Sequence, residues 1–223
     1  MRMRLKKYLT ERVEAARDYI VVGYDLDKDA RNDSPLDVLD LAQVFGNDNP
    51  VCLEVGCGKG QWICRMAVSH PDVNYLAVEK YTNVIIPGVE RAKRENLTNL
   101  RFGNCGVEYL PRHIVKHAFD KIYLNFSSPF PTASHEKQRL TYKRFLSLYK
   151  EWLKEGGQVV QKTDNRHFFE YSLQSMSEAG MVFDRISLDL HQDPIPNLTS
   201  EYEDRFAPLG PIYYLEAHFP SQN

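Results

Sequence analysis

The feature that most constrains the fold is a glycine-rich turn between a predicted strand and a predicted helix. Residues 53–60 read LEVGCGKG, so three glycines alternate with other residues directly after a short apolar run. Glycine permits a tight turn and lets a ligand approach the backbone without interference from a Cβ atom. The next apolar run is followed by Glu79, whose carboxylate can accept hydrogen bonds from both hydroxyls of a ribose. The pattern predicts a ligand that contains a nucleoside, although a turn that serves packing alone would carry the same glycines.

Beyond this turn, apolar runs alternate with amphipathic segments through the rest of the chain, which predicts an α/β fold with a doubly wound, mostly parallel sheet. The predicted strands cover residues 51–55, 74–78, 100–103, 121–126, 158–162, 182–188 and 212–219. The predicted helices cover residues 60–69, 82–95, 140–152 and 165–179, and a polar loop covers 127–138. The third helix is expected to stop at Gly156 and Gly157. Residues 1–50 are expected to form a basic arm and lead-in to a single domain at 51–223.

The class of ligand follows from what the turn lacks. A dinucleotide fingerprint needs a further glycine where this chain has Gln61, and a P-loop needs Ser or Thr where it has Gly60. Glu54 precedes the turn, and an acid there suits the cationic end of a ligand without phosphate. S-adenosylmethionine carries a sulfonium and an ammonium and has no phosphate. The sequence therefore predicts this cofactor, bound by Glu54, Gly56, Gly58 and Glu79.

Composition restricts the remaining classes of protein. The formal net charge is −2, which argues against a surface that is basic all over. Basic residues are concentrated near the start of the chain, which fits either an arm that reaches for phosphates or a solvated terminus: Arg2, Arg4, Lys6, Lys7, Arg12 and Arg17. No apolar run approaches a membrane span, no apolar stretch follows the basic start, and the cysteines lack zinc-site spacing. We expect a cytoplasmic protein without a metal site or a membrane segment.

Motifs in the second half of the chain sharpen the prediction. Residues 123–131 read YLNFSSPFP, residues 135–141 read HEKQRLT, residues 162–165 read KTDN and residues 200–203 read SEYE. Together with the glycine turn and the opening MRMR, these motifs resemble those of the bacterial tRNA guanine-N7 methyltransferases, in the same order along nearly the whole chain. The resemblance implies a class I methyltransferase fold with its active site at the carboxyl ends of the strands. It implies cofactor binding by Glu54 and Glu79, and by Asn125 and Ser128 after the fourth strand.

The resemblance also implies an acceptor site. Asp164, after the fifth strand, and the stretch Ser200, Glu201, Tyr202 and Glu203 are expected to line the guanosine pocket, with Thr132 as a further contact. Asp164 could equally cap the helix that follows it. Ser128 and Asp164 are the predicted catalytic residues.

Four positions depart from the family pattern. Ser128 stands where the family has Asp, Phe130 stands where it has Trp, and Thr132 begins a triplet that is basic in the family. The acid after the third strand falls at Gly106, so Asn104 or Cys105 would have to serve the adenine side. These changes predict altered or reduced activity.

The chemistry tolerates such losses, because guanine N7 has a lone pair and no proton. Methylation therefore needs orientation and electrostatic stabilisation, and no general base. The expected partner is tRNA, held by exposed basic groups such as Lys137, Arg139, Lys143 and Arg144, and the protein is expected to be a monomer or a homodimer. Two alternatives stay open: a methyltransferase with another acceptor, and a homologue that binds cofactor or RNA without transferring methyl groups.

Overall fold

The computed structural model describes residues 8–23 and 38–221, and its centre is an eight-stranded sheet. The strands are β1 (Ile20–Val22), β2 (Val51–Val55), β3 (Asn74–Val78), β4 (Leu100–Gly103), β5 (Phe119–Asn125), β6 (Leu153–Thr163), β7 (Val182–Ser187) and β8 (Tyr213–His218). Their order in the sheet is β1-β4-β3-β2-β5-β6-β8-β7. Neighbouring strands pair in parallel for β1 with β4, β3 with β4 and β5 with β6. The last two strands run antiparallel, β8 against β6 and β7 against β8. The predicted α/β fold is confirmed.

The α-helices are α1 (Leu9–Ala15), α2 (Leu41–Phe45), α3 (Gln61–Ser69), α4 (Thr82–Arg94), α5 (Lys143–Trp152), α6 (Arg166–Glu178) and α7 (Glu201–Phe206). Short 3-10 helices cover Arg17–Tyr19, Val107–Arg112, Ala133–Gln138 and Ala207–Leu209. The long helices each bury one apolar face, as their sequence periodicity predicts. Helix α4, for example, buries Ile85, Ile86, Val89 and Ala92.

The helix ends at Trp152 as predicted, but the role of the two glycines after it and the loop at 133–138 were predicted wrongly. Helix α5 ends at Trp152 and β6 begins at the next residue, so Gly156 and Gly157 lie inside a strand and do not end the helix. The strand register explains the position of these two glycines. Phe119 pairs with Leu153 and Lys121 pairs with Gln158, so β6 contains extra residues between these two pairs. Gly156 has a φ of 73°, a value that glycine adopts without strain at such a bulge. Residues 133–138, predicted as loop, form a 3-10 helix.

The chain divides into two compact units. The first comprises the described residues up to Pro50 together with Glu54–Ile114, and the second comprises Val51–Leu53 together with the chain from Val115 onward. The first unit contains the glycine turn, and the second contains the motifs that follow β5 and β6.

Part of the predicted basic arm is described. Arg12, on α1, makes two hydrogen bonds of 2.6 Å to the carboxylate of Glu90 on α4, and Arg17 lies 3.6 Å from Glu14. Arg12 therefore attaches α1 to α4 and is not a free phosphate ligand. Arg2, Arg4, Lys6 and Lys7 lie outside the described residues. In the described part of the chain, no helix has both the length and the apolar character that crossing a membrane requires.

Candidate active site

The glycine turn after β2 is held against the end of β3. The amides of Gly56 and Cys57 donate to the carbonyl of Val78, at 2.8 and 3.0 Å. Gly56 and Gly58 have φ values of 79° and 59°, in the left-handed region that other residues avoid. A Cβ atom built on either glycine meets nothing within 4 Å, so this face of the turn is open to a ligand.

Helix α4 lies directly against the other side of the turn. A Cβ atom built on Gly88, inside α4, would lie 2.7 Å from the carbonyl oxygen of Lys59 and 3.0 Å from Cα of Gly60. Gly60, with a φ of 69°, is the N-cap of α3. Only glycine at position 88 allows this approach of helix and turn. The sequence signal was a glycine inside a helical pattern, which often marks close packing.

Two acids flank the turn within the first unit. Glu54 is buried in β2, with 2% of its surface exposed. Glu79 follows β3 and is half-buried, and its Oε1 accepts a hydrogen bond of 2.9 Å from the amide of Tyr81. Burial, and then the charges of Glu54 and Glu79, raise the pKa of the Cys57 thiol well above its ordinary value. The Cys57 thiol therefore stays neutral beside the two acids.

Asn104 is predicted to serve the adenine side of the cofactor, but its side-chain amide is hydrogen-bonded within the protein. Its amide nitrogen donates to the carbonyls of Glu79 and Lys80, at 3.1 and 3.4 Å, and its amide oxygen accepts from the hydroxyl of Thr82 at 2.7 Å. Asn104 thus ties the end of β4 to the end of β3. Cys105 is a buried cysteine that forms no disulfide, and Gly106 is buried and contributes no side chain.

In the second unit, the segment after β5 is held by Arg139. Asn125 is the last residue of β5 and is buried, whereas Ser128 is exposed. The Arg139 guanidinium donates to the carbonyls of Pro129 and Phe130, both at 3.0 Å, and lies 4.2 Å from the centre of the Tyr171 ring.

This role of Arg139 differs from the predicted one. Arg139 was a candidate phosphate contact, but these bonds make it a positioning residue for the Ser128 segment. Phe126 and Phe130, on either side of Ser128, have φ values of 50° and 42°, a strained conformation for a bulky residue. Thr132 lies at the start of the following 3-10 helix, and its exposed hydroxyl pairs with Nδ1 of His135 at 2.8 Å.

Asp164 lies exposed directly after β6. The hydroxyl of Tyr202 donates to its Oδ2 at 3.1 Å, so the structure brings together two predicted acceptor residues. Asn165, and not Asp164, caps α6 by accepting from the amide of Phe168 at 2.8 Å. The alternative that Asp164 caps the helix is wrong, and the Asp164 side chain is available at the strand end.

The Tyr202 ring belongs to an aromatic stack. Its centre lies 4.2 Å from that of Phe206 and 4.9 Å from that of Phe126, and 43% of Tyr202 is exposed. Partial burial, and then the Asp164 carboxylate, raise the pKa of the Tyr202 hydroxyl. The hydroxyl therefore stays protonated, and stays a donor to Asp164, at neutral pH.

Ser200 and Glu203 are also predicted to line the guanosine pocket. In the structure both make contacts within the protein. Ser200 caps α7 by accepting from the amide of Glu203 at 3.1 Å. Glu203 is completely buried, and its Oε2 lies 2.7 Å from the ammonium of Lys162, which is 4% exposed. His191 and Asn197 hydrogen-bond the other oxygen of Glu203. Both carboxylate oxygens of Glu203 are engaged within the protein, which argues against the predicted contact with guanosine, and Glu201 and Tyr202 are the exposed members of the predicted set.

Lys162 belongs to the KTDN motif, but the sequence indicated no role for it. It also donates to Oδ1 of Asn197 at 3.0 Å and to the carbonyl of Leu198 at 3.1 Å. These hydrogen bonds fasten the segment before α7 to the end of β6. Asp164 is the residue directly after β6. The described residues contain no group of three or more His, Cys, Asp or Glu that could hold a metal ion.

Comparisons with known proteins place this geometry in a family. A family model described as "Putative methyltransferase" matches residues 48–214. A tRNA (guanine-N(7)-)-methyltransferase of Exiguobacterium sp. is 48% identical over 181 residues, covering 80% of this chain and 84% of that protein. One of Bacillus cytotoxicus is 38% identical over 224 residues, covering 100% and 99%.

Solved structures agree on the fold. An antibiotic-related methyltransferase is similar with a TM-score of 0.61 at 18% identity, covering 80% of this chain and 92% of that one. The antibiotic-resistance methyltransferase Kmr is similar with a TM-score of 0.56 at 18% identity, covering 82% and 93%. At this identity the likeness concerns the fold alone. The curated relatives, which match most or all of the chain, show more: the chain belongs to the family of the tRNA (guanine-N(7)-)-methyltransferases.

Proposed function

We propose that the protein transfers a methyl group from S-adenosylmethionine to N7 of a guanosine in tRNA. The observation that carries the proposal is the match, over the full length of the chain, to a relative named for this activity. A cytoplasmic location and tRNA as the partner are part of the same proposal.

The first unit has the features that the cofactor requires. Gly56 and Gly58 present open backbone, and the Glu79 carboxylate accepts hydrogen bonds from the ribose hydroxyls. Glu54 contributes negative charge beside the turn, which complements the cationic methionine portion of the cofactor. When bound, S-adenosylmethionine supplies a methyl group on a positively charged sulfur. Asn125 and Ser128, in the second unit, stay predicted cofactor residues.

The second unit has the features that the acceptor requires. An ionised carboxylate only accepts hydrogen bonds, and the Watson–Crick edge of guanine offers two N–H donors side by side. Asp164, held by the Tyr202 hydroxyl, accepts from these donors and orients the base, while the exposed Tyr202 ring offers a stacking surface. The exposed Lys137, Lys143 and Arg144 contact phosphates.

Transfer needs no general base in this arrangement. The lone pair of N7 forms the new C–N bond as the C–S bond breaks, and the positive charge passes from sulfur to the purine. The protein contributes orientation and electrostatic stabilisation of the moving charge. Ser128 can offer only a neutral dipole after β5, so we expect transfer to be slower than with a carboxylate there.

Mass spectrometry of nucleosides tests the proposal. Unmodified tRNA is incubated with the protein and S-adenosylmethionine and then digested. We expect 7-methylguanosine with the natural protein, little with Asp164→Ala, and an unchanged amount with Glu155→Gln, which alters an exposed acid away from these residues. A different methylated nucleoside would assign another acceptor. Tight cofactor binding without a methylated product would identify a binding homologue.

A further inference from the structure

The end of β4 carries an acid that the sequence pattern did not place there. A Cβ atom built on Gly106 would lie 2.5 Å from Oε2, 2.7 Å from Cδ and 2.9 Å from Oε1 of Glu108. The Glu108 carboxylate therefore folds back over Gly106 and occupies the space that a side chain at position 106 would take. Gly106 has φ −72° and ψ 146°, which any residue adopts, so the backbone does not require glycine here, and a side chain at position 106 would displace only the exposed end of Glu108.

Glu108 is the available acceptor at this strand end. Asn104 is bonded to the carbonyls of Glu79 and Lys80 and to the hydroxyl of Thr82, and Cys105 is buried. The Glu108 side chain belongs to an exposed residue, and within residues 8–23 and 38–221 its carboxylate has no hydrogen-bond or ion-pair partner. Its two oxygens are free to accept hydrogen bonds from a ligand.

The strand order indicates which part of the cofactor reaches this carboxylate. The strands β4, β3 and β2 are neighbours in the sheet, in that order. The glycine turn follows β2, Glu79 follows β3, and Glu108 follows β4. In S-adenosylmethionine the ribose joins the methionine portion on one side to adenine on the other. With the ribose at Glu79 and methionine at the turn, adenine extends towards the end of β4, about one strand spacing of ~4.8 Å further along the sheet.

We propose that Glu108 recognises the 6-amino group of the cofactor's adenine, in place of the side chain that Gly106 lacks. The inference rests on the proposed function, because it assumes that S-adenosylmethionine is the ligand. A carboxylate accepts from an amino group and repels a carbonyl oxygen at the same position. Hydrogen bonds to charged groups correspond to about a 10- to 150-fold change in affinity, so Glu108 distinguishes adenine from hypoxanthine.

Calorimetry with two demethylated ligands tests the proposal without measuring transfer. S-adenosylhomocysteine carries the 6-amino group, and S-inosylhomocysteine carries oxygen there. We expect the natural protein to prefer the adenosyl compound by at least about tenfold. In Glu108→Gln the ratio of the two affinities should be smaller, because the glutamine amide can also donate a hydrogen bond to the carbonyl oxygen of the inosyl compound. Glu155→Gln keeps the natural preference.

A relocation variant separates recognition from folding. Glu108→Ala loses the preference, and adding Gly106→Asp restores it, because the backbone at position 106 accommodates a side chain once Glu108 is shortened. An unchanged preference in Glu108→Gln and Glu108→Ala overturns the inference while the proposed function stands. Failure of the natural protein to bind S-adenosylhomocysteine overturns both.

Discussion

Replacing Lys162 by methionine tests whether a buried ion pair builds the acceptor site. The substitution removes the ammonium that contacts Glu203, Asn197 and Leu198, and it leaves the Glu203 carboxylate completely buried without its lysine partner. Breaking a buried pair in this way costs about 3–5 kcal/mol of folding free energy. At about 2–4 °C per kcal/mol for a chain of this size, the melting temperature should fall by about 6–20 °C.

The chain offers a matched control for this substitution. Lys154 lies 2.8 Å from Asp120, a distance similar to that between Lys162 and Glu203, but 43% of its side chain is exposed. Water screens that pair, so Lys154→Met should cost less than about 1 kcal/mol. In Lys162→Met/Glu203→Met the stability should partly recover, because the uncompensated charge is gone.

Thermal and urea unfolding measure the stability of all three variants, and 7-methylguanosine formation is assayed below the lowest melting temperature. We expect Lys162→Met to lose activity there while it is still folded, because the segment carrying Tyr202 is no longer fastened beside Asp164. A loss of stability no larger than that of Lys154→Met would refute the assignment of this pair as the anchor of the site.

Four other variants follow from the structure. Glu79→Ala should lower affinity for S-adenosylhomocysteine by about 10- to 150-fold in calorimetry, since it removes charged acceptors of the ribose hydroxyls; unchanged affinity would remove this assignment. Ser128→Asp should raise single-turnover transfer by up to about 100- to 1000-fold, because a carboxylate stabilises charge that a hydroxyl cannot; a loss of rate would mean that another group has this role. Arg139→Lys should lower the transfer rate at saturating cofactor, because a single ammonium cannot hold both carbonyls and the Ser128 segment loses its position; a rate equal to that of the natural protein would contradict this role. Burial raises the pKa of Cys52 and of Cys64 from 9.0 to about 12. Their contribution to stability is therefore complete below pH 9.0 and is lost as pH rises towards 12, so Cys52→Ala/Cys64→Ala should show a smaller alkaline loss in urea unfolding than the natural protein.

The sequence predicted those parts of the molecule that depend on neighbouring residues. The glycine turn, the acid after β3 and the strand–helix alternation are local patterns, so each could be located from periodicity and spacing. The motifs around Asp164 and Tyr202 were recognised through the resemblance to a family, and the structure joins them by a hydrogen bond. Their substrate roles stay predictions.

Contacts between distant positions could not be predicted. Lys162 and Glu203 are 41 residues apart, and nothing in either local pattern indicates that they form a buried pair. Arg139 appeared as one of several basic residues, whereas the structure uses it to hold backbone carbonyls. The direction of a side chain could not be predicted either. The Glu108 side chain, for example, folds back towards Gly106.

The contact of Gly88 with the glycine turn has a consequence for protein engineering. Replacing glycine by alanine inside an exposed helix ordinarily stabilises it by about 1 kcal/mol, so α4 looks like an easy target for a thermostable variant. Here the added methyl group would meet the carbonyl oxygen of Lys59 at 2.7 Å and displace the turn. A library designed by helix propensity alone would therefore select against cofactor binding at this position, and residue 88 should be kept fixed while the exposed face of the same helix is varied.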